Sequence, residues 1–315
     1  MLAHTLRQTA ALRAVVPRLH DAGLRYCLLK GQGYAALFGR PEHREACDID
    51  LLVDAADRDR ALPLLQRLGY VLDPAVAKAL DRYARDNHAL SLRHATSGLV
   101  LELHLRLANQ AHEFPLDQRA LWNEHTTRVA LGDLQVTTLA PSLAVVYAAF
   151  HGSKHNWHRA FWLVDIAQAL RSPSLDWDAT VALARRLGVE RHLALGALLA
   201  ETALGTPLPE ALQAQTPLLR SGHFAARTLL PHLDALGSDR GADLAARLGV
   251  IRYALRLLSL QSSWRGRLQV IPFLLTPTED DRAATALPRA LHWAYPGVRA
   301  LRLARQHLHK RRRMR

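Results

Sequence analysis

The stretch "CDIDLLVD" (47–54) sets Asp48 and Asp50 two positions apart at the head of an apolar run. In a strand, residues i and i+2 project from one face, so the two carboxylates share a side while Ile49, Leu51 and Val53 take the other. At a separation of about 6 Å and an effective dielectric near 20, the charges repel by about 3 kcal/mol. Something must neutralise them, or the pair must lie in open water. A third carboxylate, Glu102, lies in "LVLELHLRL" (99–107), where Leu101, Leu103 and Leu105 alternate with Glu102, His104 and Arg106. Three carboxylates on neighbouring strands of one sheet form an oxygen-rich site that suits Mg²⁺. Two such ions clamp the attacking and leaving oxygens in phosphoryl or nucleotidyl transfer. A D-x-D pair on its own also serves as edge protection or as a helix N-cap, so the pair alone leaves both readings open.

Two further clusters bear on phosphate chemistry. In "LLKGQGYAALF" (28–38), Lys30 adjoins a turn of Gly31, Gln32 and Gly33 that opens a helix. Backbone N–H groups converge at such turns and bind phosphate, glycine permits the close approach, and Lys30 is placed to meet the β- and γ-phosphates. A strand-end lysine in solvent is the competing reading of Lys30. Arg44 has a planar fork that suits either Asp48 and Asp50 or a phosphate. In "HGSKHNWH" (151–158), His151, His155 and His158 fall at helical spacing. No HExxH motif and no nearby acid or cysteine completes a zinc set, so this helix is expected to face the cleft instead. It would offer His151, Lys154 and Arg159 to phosphate or acceptor, with Trp157 stacking or packing. Asp165 would orient an Arg or His from within the helix or serve structure alone, and Trp162 and Leu163 read as core.

The elements that must position these groups are legible from periodicity. Leu2, Leu6, Leu12, Val15, Val16 and Leu19 predict an amphipathic helix over 3–22, closed by Gly23. A strand follows at 24–30, a helix to about 37, the aspartate strand at 48–53, and a helix capped by Asp54. A short extended piece near 70–72 and a helix over 75–85 precede two hairpins. These are "HALSLRH" with "LVLELHLRL", and "TRVALGDLQVTTL" turning at Gly132-Asp133. From Pro141 most segments are helical, with breaks at Pro272 and Pro277 and a last helix from Pro288 or Pro296. The order predicts an α+β fold: a mixed sheet with flanking helices over 1–138, an all-helical domain over 139–308 closing the cleft, and a basic tail at 309–315.

The 315 residues, 49% hydrophobic and 22% charged, exclude a globally disordered chain. Seven positive charges between Arg302 and Arg315 contribute to the net +13, reading as a solvated tail or as a contact for RNA, anionic lipid or an acidic partner. Cys27 and Cys47 read as buried thiols rather than a disulfide framework. No signal peptide and no membrane span is expected, which points to the cytoplasm.

The segment "LLKGQGYAALFGRPEHREACDIDLLVD" resembles the nucleotidyltransferase superfamily, with its DNA polymerase beta-like palm. More closely it resembles the bacterial family of uncharacterised nucleotidyltransferases, through Lys30-Gly31, Arg44, Asp48-Ile49-Asp50 and Glu102-Leu103-His104. The resemblance continues through residues 151–170 and 276–301. It departs from the superfamily in Gln32 following Gly31, in the longer stretch from Gly31 to Asp48, and in a Glu as third acid. What it implies is a transferase. Asp48 and Asp50 would hold Mg²⁺ or Mn²⁺ against a nucleoside triphosphate, and Glu102 would complete the set or act as base. Lys30, Gly31, Gln32, Gly33, Arg44, His104, His151, Lys154, Trp157 and Arg159 would line the nucleotide site. The acceptor implied is a small molecule, peptide or protein more than RNA. The alternative is an inactive module of the same fold that binds RNA or a protein partner.

Overall fold

The structure, a computed structural model, describes residues 2–39, 48–235, 248, 250–275, 285, 287–288, 291 and 294–299. Arg44, Cys47 and the tail at 309–315 lie outside the described residues.

Helix α1 (Leu2–Asp21) buries Leu12, Val15, Val16 and Leu19. Gly23, at φ +65°, takes the left-handed turn that ends it. Strand β1 (Tyr26–Leu28) then enters the sheet, shorter than its apolar run predicts. The main chain stays tied one residue further, where the Leu29 N–H donates to the Asp50 carbonyl at 3.1 Å. Helix α2 (Gln32–Phe38) leads to β2 (Asp48–Val53), and the Asp54 carboxylate accepts from the Ala56 N–H ahead of α3 (Arg58–Arg67). Strand β3 (Tyr70–Leu72) is followed by α4 (Pro74–Lys78) and α5 (Leu80–Asp86), which divide the single predicted helix at Ala79. Strands β4 (Ala89–His94) and β5 (Val100–His104) form the first hairpin. Helix α6 (Gln118–Glu124) precedes the second, β6 (Thr126–Leu131) and β7 (Leu134–Leu139), turning at Gly132-Asp133.

These strands make one mixed seven-stranded sheet in the order β3-β4-β5-β2-β1-β7-β6. Strand β2 lies near its centre, antiparallel to β1 and parallel to β5. The β2–β5 register sets Asp48 opposite Val100, Asp50 opposite Glu102 and Leu52 opposite His104. One sheet face carries Ile49, Leu51, Val53, Leu101 and Leu103 into a core with α1 and α3. The other carries Cys27, Leu29, Leu52 and Leu139 into a second core built from the helices that follow.

Those helices are α7 (Pro141–Lys154), α8 (Ala160–Leu170), α9 (Trp177–Arg186), α10 (Glu190–Leu204), α11 (Glu210–Gln213) and α12 (Thr216–Leu229). Two more, α13 (Val250–Leu260) and α14 (Trp264–Leu275), follow in the described chain. Because the second core runs unbroken from β1, β2 and β7 into α7, α8 and α10, the helical half seats on the same sheet face as the acids. Two glycines make this seating possible. A Cβ on Gly33 would lie 2.7 Å from Thr138 Oγ1, and one on Gly152 would lie 2.6 Å from the Trp157 ring. Among the described residues no helix is long and apolar enough to cross a membrane.

Candidate active site

The side-chain alternation of β2 and β5 puts Asp48, Asp50, Glu102 and His104 on one face, as the spacing predicts. Asp50 is the centre of the cluster. Its Oδ1 accepts from Lys30 Nζ at 2.8 Å and from His104 Nε2 at 3.0 Å. A carboxylate at neutral pH only accepts, so His104 carries its proton on Nε2. The same Nε2 lies 3.3 Å from Glu102 Oε2, so one imidazole N–H ties two of the three acids together. Asp50 and His104 are almost closed to solvent, whereas the Glu102 side chain stays 33% exposed and Asp48 is half-buried. The site therefore opens along Asp48 and Glu102.

The charges respond to this arrangement. Burial works against ionised Asp50, but the Lys30 ammonium and the His104 contact outweigh it and hold the carboxyl well below its usual range. Lys30 is the mirror case: burial opposes its charge and Asp50 outweighs burial, so its pKa rises. The hydrogen bond from His104 holds Glu102 low against burial. Burial opposes the imidazolium of His104, but its bonds to Asp50 and Glu102 prevail and its pKa rises. Asp48 goes the other way, pushed up to about 6 by burial first and then by Asp50 and Glu102. Three carboxylates thus face one ammonium, Lys30, and one imidazole N–H, that of His104.

Helix α7 forms the opposite wall. His151 Nε2 lies 3.5 Å from Lys30 Nζ, and burial together with Lys30 drives its pKa well below the ordinary value. Burial and the cations Lys30 and Lys154 bring His155 to about 4. Both rings are therefore neutral at pH 7. Trp162 stands among three imidazoles, edge-on to His151 at 5.0 Å and to His158 at 4.8 Å, and tilted against His155 at 5.5 Å. It is half-buried and packs against the second core, as expected, while its other side lines the wall. Lys154 is paired with Glu113 at 3.7 Å, and the Arg159 guanidinium lies over the Phe161 ring.

Three sequence expectations are corrected. Of the stacking and packing roles expected of Trp157, only packing holds, since the ring is fully enclosed against Gly152 and Gly196 and its faces are closed to a base. Gln32 is buried and spends its side chain on α1, where its Nε2 donates to Gln8 Oε1 at 3.2 Å. Gly33 packs against Leu28 and Thr138, which leaves Gly31, at φ +57°, as the turn glycine nearest Lys30. The compact group with metal-ligand spacing among the described residues is Asp50, Glu102 and His104, their donor atoms all within 4.8 Å of one another. Asp48 stands outside that group, and His151, His155 and His158, at and just beyond the end of α7, form no such set among the described residues.

Sequence reasoning also missed four residues. Gln8 is wholly buried and donates to the Asp48 carbonyl at 3.0 Å, so α1 pins the start of the aspartate strand. A signal existed: Thr5 and Gln8 are polar positions on the helix's apolar stripe. Tyr147 is buried close enough to Lys30 and Asp50 for their charges to act on its hydroxyl. His88 packs edge-on against the His104 ring at 5.2 Å, and Asn109 holds the His88 Nδ1. Nothing in the local spacing of these last three sets them apart.

The model of the family described as uncharacterised nucleotidyltransferase matches residues 2–205. The chain belongs to that family. No curated protein matches it. Among solved structures, it is similar to the crystal structure of an antigenic nucleotidyltransferase-like protein from Paracoccidioides brasiliensis. That likeness has 14% identity and a TM-score of 0.28, and covers 57% of this chain and 89% of the other. The family model takes in the whole sheet, the acid cluster and α7 to α10, and ends ahead of α11.

Proposed function

We propose that this chain is a Mg²⁺- or Mn²⁺-dependent nucleotidyltransferase that moves a nucleoside monophosphate from an NTP to a hydroxyl or phosphate acceptor and releases pyrophosphate. The observation that carries the reading is the parallel register of Asp50 with Glu102, which gathers acids on one face beside Asp48. The donor set fits a divalent cation. Three carboxylates share the site with the Lys30 ammonium and the His104 imidazole N–H, and burial, followed by Asp50 and Glu102, lifts Asp48 to about 6. Oxygen donors suit Mg²⁺, and the imidazole beside them is compatible with Mn²⁺. Asp48, Asp50 and Glu102 would hold it. The bound ion supplies Lewis-acid neutralisation of charge on the triphosphate oxygens.

The chain's own residues do the rest. His104 fixes Asp50 and Glu102 relative to one another through its shared N–H. Lys30 turns its ammonium from Asp50 to the triphosphate, with the Gly31 turn beside it. His151, Lys154 and Arg159 bound the opposite wall. The acceptor oxygen bonds to the α-phosphorus, the α–β bridging bond breaks, pyrophosphate leaves with the electron pair, and the acceptor proton passes to Glu102. In-line positioning and charge neutralisation carry the rate. The pairing of Lys154 with Glu113 argues against a basic groove here, which supports a small molecule, peptide or protein as acceptor over RNA.

The test is incubation of the protein with each of the four NTPs and Mg²⁺, following pyrophosphate release and mass gain on the protein itself or on added cell extract. Turnover that Asp48→Asn abolishes is expected. No pyrophosphate with any NTP, or wild-type turnover by Asp48→Asn, overturns the reading. A second reading, an inactive module, is favoured by one observation: Lys30 and His104 already satisfy Asp50. Salt-dependent RNA binding that persists in Asp48→Ala/Asp50→Ala, without turnover, would establish it.

A further inference from the structure

The charge of the chain is unevenly distributed. After Asp243 the sequence holds fifteen Lys and Arg but only three acids, Glu279, Asp280 and Asp281. All but one of the thirteen excess positive charges therefore lies in that last part. Its two described helices, α13 and α14, contain no acid at all.

These helices also leave apolar side chains in solvent. On α13, Arg256 and Leu260 turn inward, while Ile251 and Leu255, one helical turn apart, are 59% and 48% exposed. On α14, Val270 is buried, and Trp264 and Leu268, again one turn apart, are 66% and 53% exposed. Arginines stand beside them. Arg252, Arg265 and Arg267 are exposed, and the Arg265 guanidinium lies over the Trp264 ring at 5.4 Å. A tryptophan with an arginine on its face, next to aliphatic side chains, is the chemistry of the lipid headgroup boundary.

We infer that α13 and α14 form a docking surface for an anionic lipid bilayer, which the chain binds peripherally. Charge complementarity selects the occupant. Each arginine near an anionic leaflet contributes attraction, and the aliphatic and indole groups enter the acyl boundary. A second copy of this chain would bring like charges together. RNA would find one stacking ring and three aliphatic side chains that offer no stacking face. The inference is independent of the catalytic reading, since none of these residues belongs to the acid cluster or its opposite wall.

The experiment is co-sedimentation of the full chain with vesicles of phosphatidylcholine alone and with about one third phosphatidylglycerol, over a range of salt. Binding to the mixed vesicles alone, weakening with salt, is expected. Trp264→Ser/Leu268→Ser and Arg265→Gln/Arg267→Gln should each lower the vesicle partition by roughly tenfold or more, while Arg265→Lys/Arg267→Lys retains it. Unchanged thermal melting of the variants keeps the comparison valid, and Ile251→Ser/Leu255→Ser supplies a second apolar pair if the first misfolds. A chain cut after Leu308 should keep most of the binding. The inference is overturned if wild type ignores mixed vesicles, if no helix variant weakens binding, if that truncation alone removes it, or if the apolar variants instead abolish RNA capture or self-association.

Discussion

At the scale of single residues, the competition at Asp48 and Asp50 can be separated by experiment. Asp48 has a folded pKa of about 6 against an ordinary value of 3.8. A group raised on folding contributes stability that is complete below the unfolded value and lost as pH rises through the folded one. Without divalent metal, ionised Asp48 should therefore cost up to about 3 kcal/mol at pH 8 and almost nothing near pH 3.5. Asp48→Asn removes that cost while keeping the shape. Chemical denaturation should find the variant more stable than wild type at pH 8, with the difference gone in acid, even as nucleotidyl transfer is lost. An equal midpoint at pH 8 would show that Asp48 is not crowded. Lys30→Met behaves oppositely, because it strips a buried carboxylate of its main counter-charge. A loss of about 3 kcal/mol is expected, together with loss of turnover. The D-x-D and E-x-H patterns made these residues legible, since alternation alone decides their face. Lys30 was legible as a cation near the site but not as the partner of Asp50, for that contact depends on where the chain leaves β1.

Among the elements, alternation and capping located most of the sheet. The hairpin at Gly132-Asp133 and the short strand at 70–72 follow directly from their spacing. What spacing could not reveal is which side chains fill the gap between sheet and helices. Trp157 reads as stacking or packing on a helix that faces the cleft; Asn156 and Trp157 both turn to positive φ, and the indole sits between Gly152 and Gly196, which settles it as packing. Likewise Gly31 and Gly33 read alike as phosphate-turn glycines, and only the packing of α2 on Thr138 separates them. Gly33→Ala should cost about 1–3 kcal/mol, because its Cβ meets strand atoms that cannot swing aside. The Gly152→Ala penalty should shrink in a Trp157→Leu background, since the ring is what the new Cβ meets. A double-mutant cycle by thermal or urea unfolding reads this coupling, and additive effects would refute the contact.

For the whole molecule, the response to acid follows from histidines that the fold keeps neutral. His192 on α10 is 8% exposed, and burial first, then the Arg256 charge, lowers its pKa to about 4. Burial chiefly brings His88 and His155 to about 4 as well, and drives His151 well down. A histidine lowered on folding contributes stability that is complete above about 6.5 and lost as pH falls toward the folded value. Each fully neutral histidine is worth up to about 3 kcal/mol over that window. Asp48 works the other way, regaining stability as pH falls from 6 toward 3.8. Four histidines outweigh one carboxylate of similar shift, so the metal-free protein should lose stability steeply between pH 6.5 and 4. His192 is the clean probe, since it lies away from the acid cluster against Phe150, and its Nδ1 has no partner. His192→Leu removes the titrating group and that orphaned nitrogen together. Melting temperature against pH should then fall less steeply than in wild type, leaving the variant the more stable protein at pH 5. Parallel profiles for the two would mean that protonation of the buried imidazole is not what unfolds the helical half in acid.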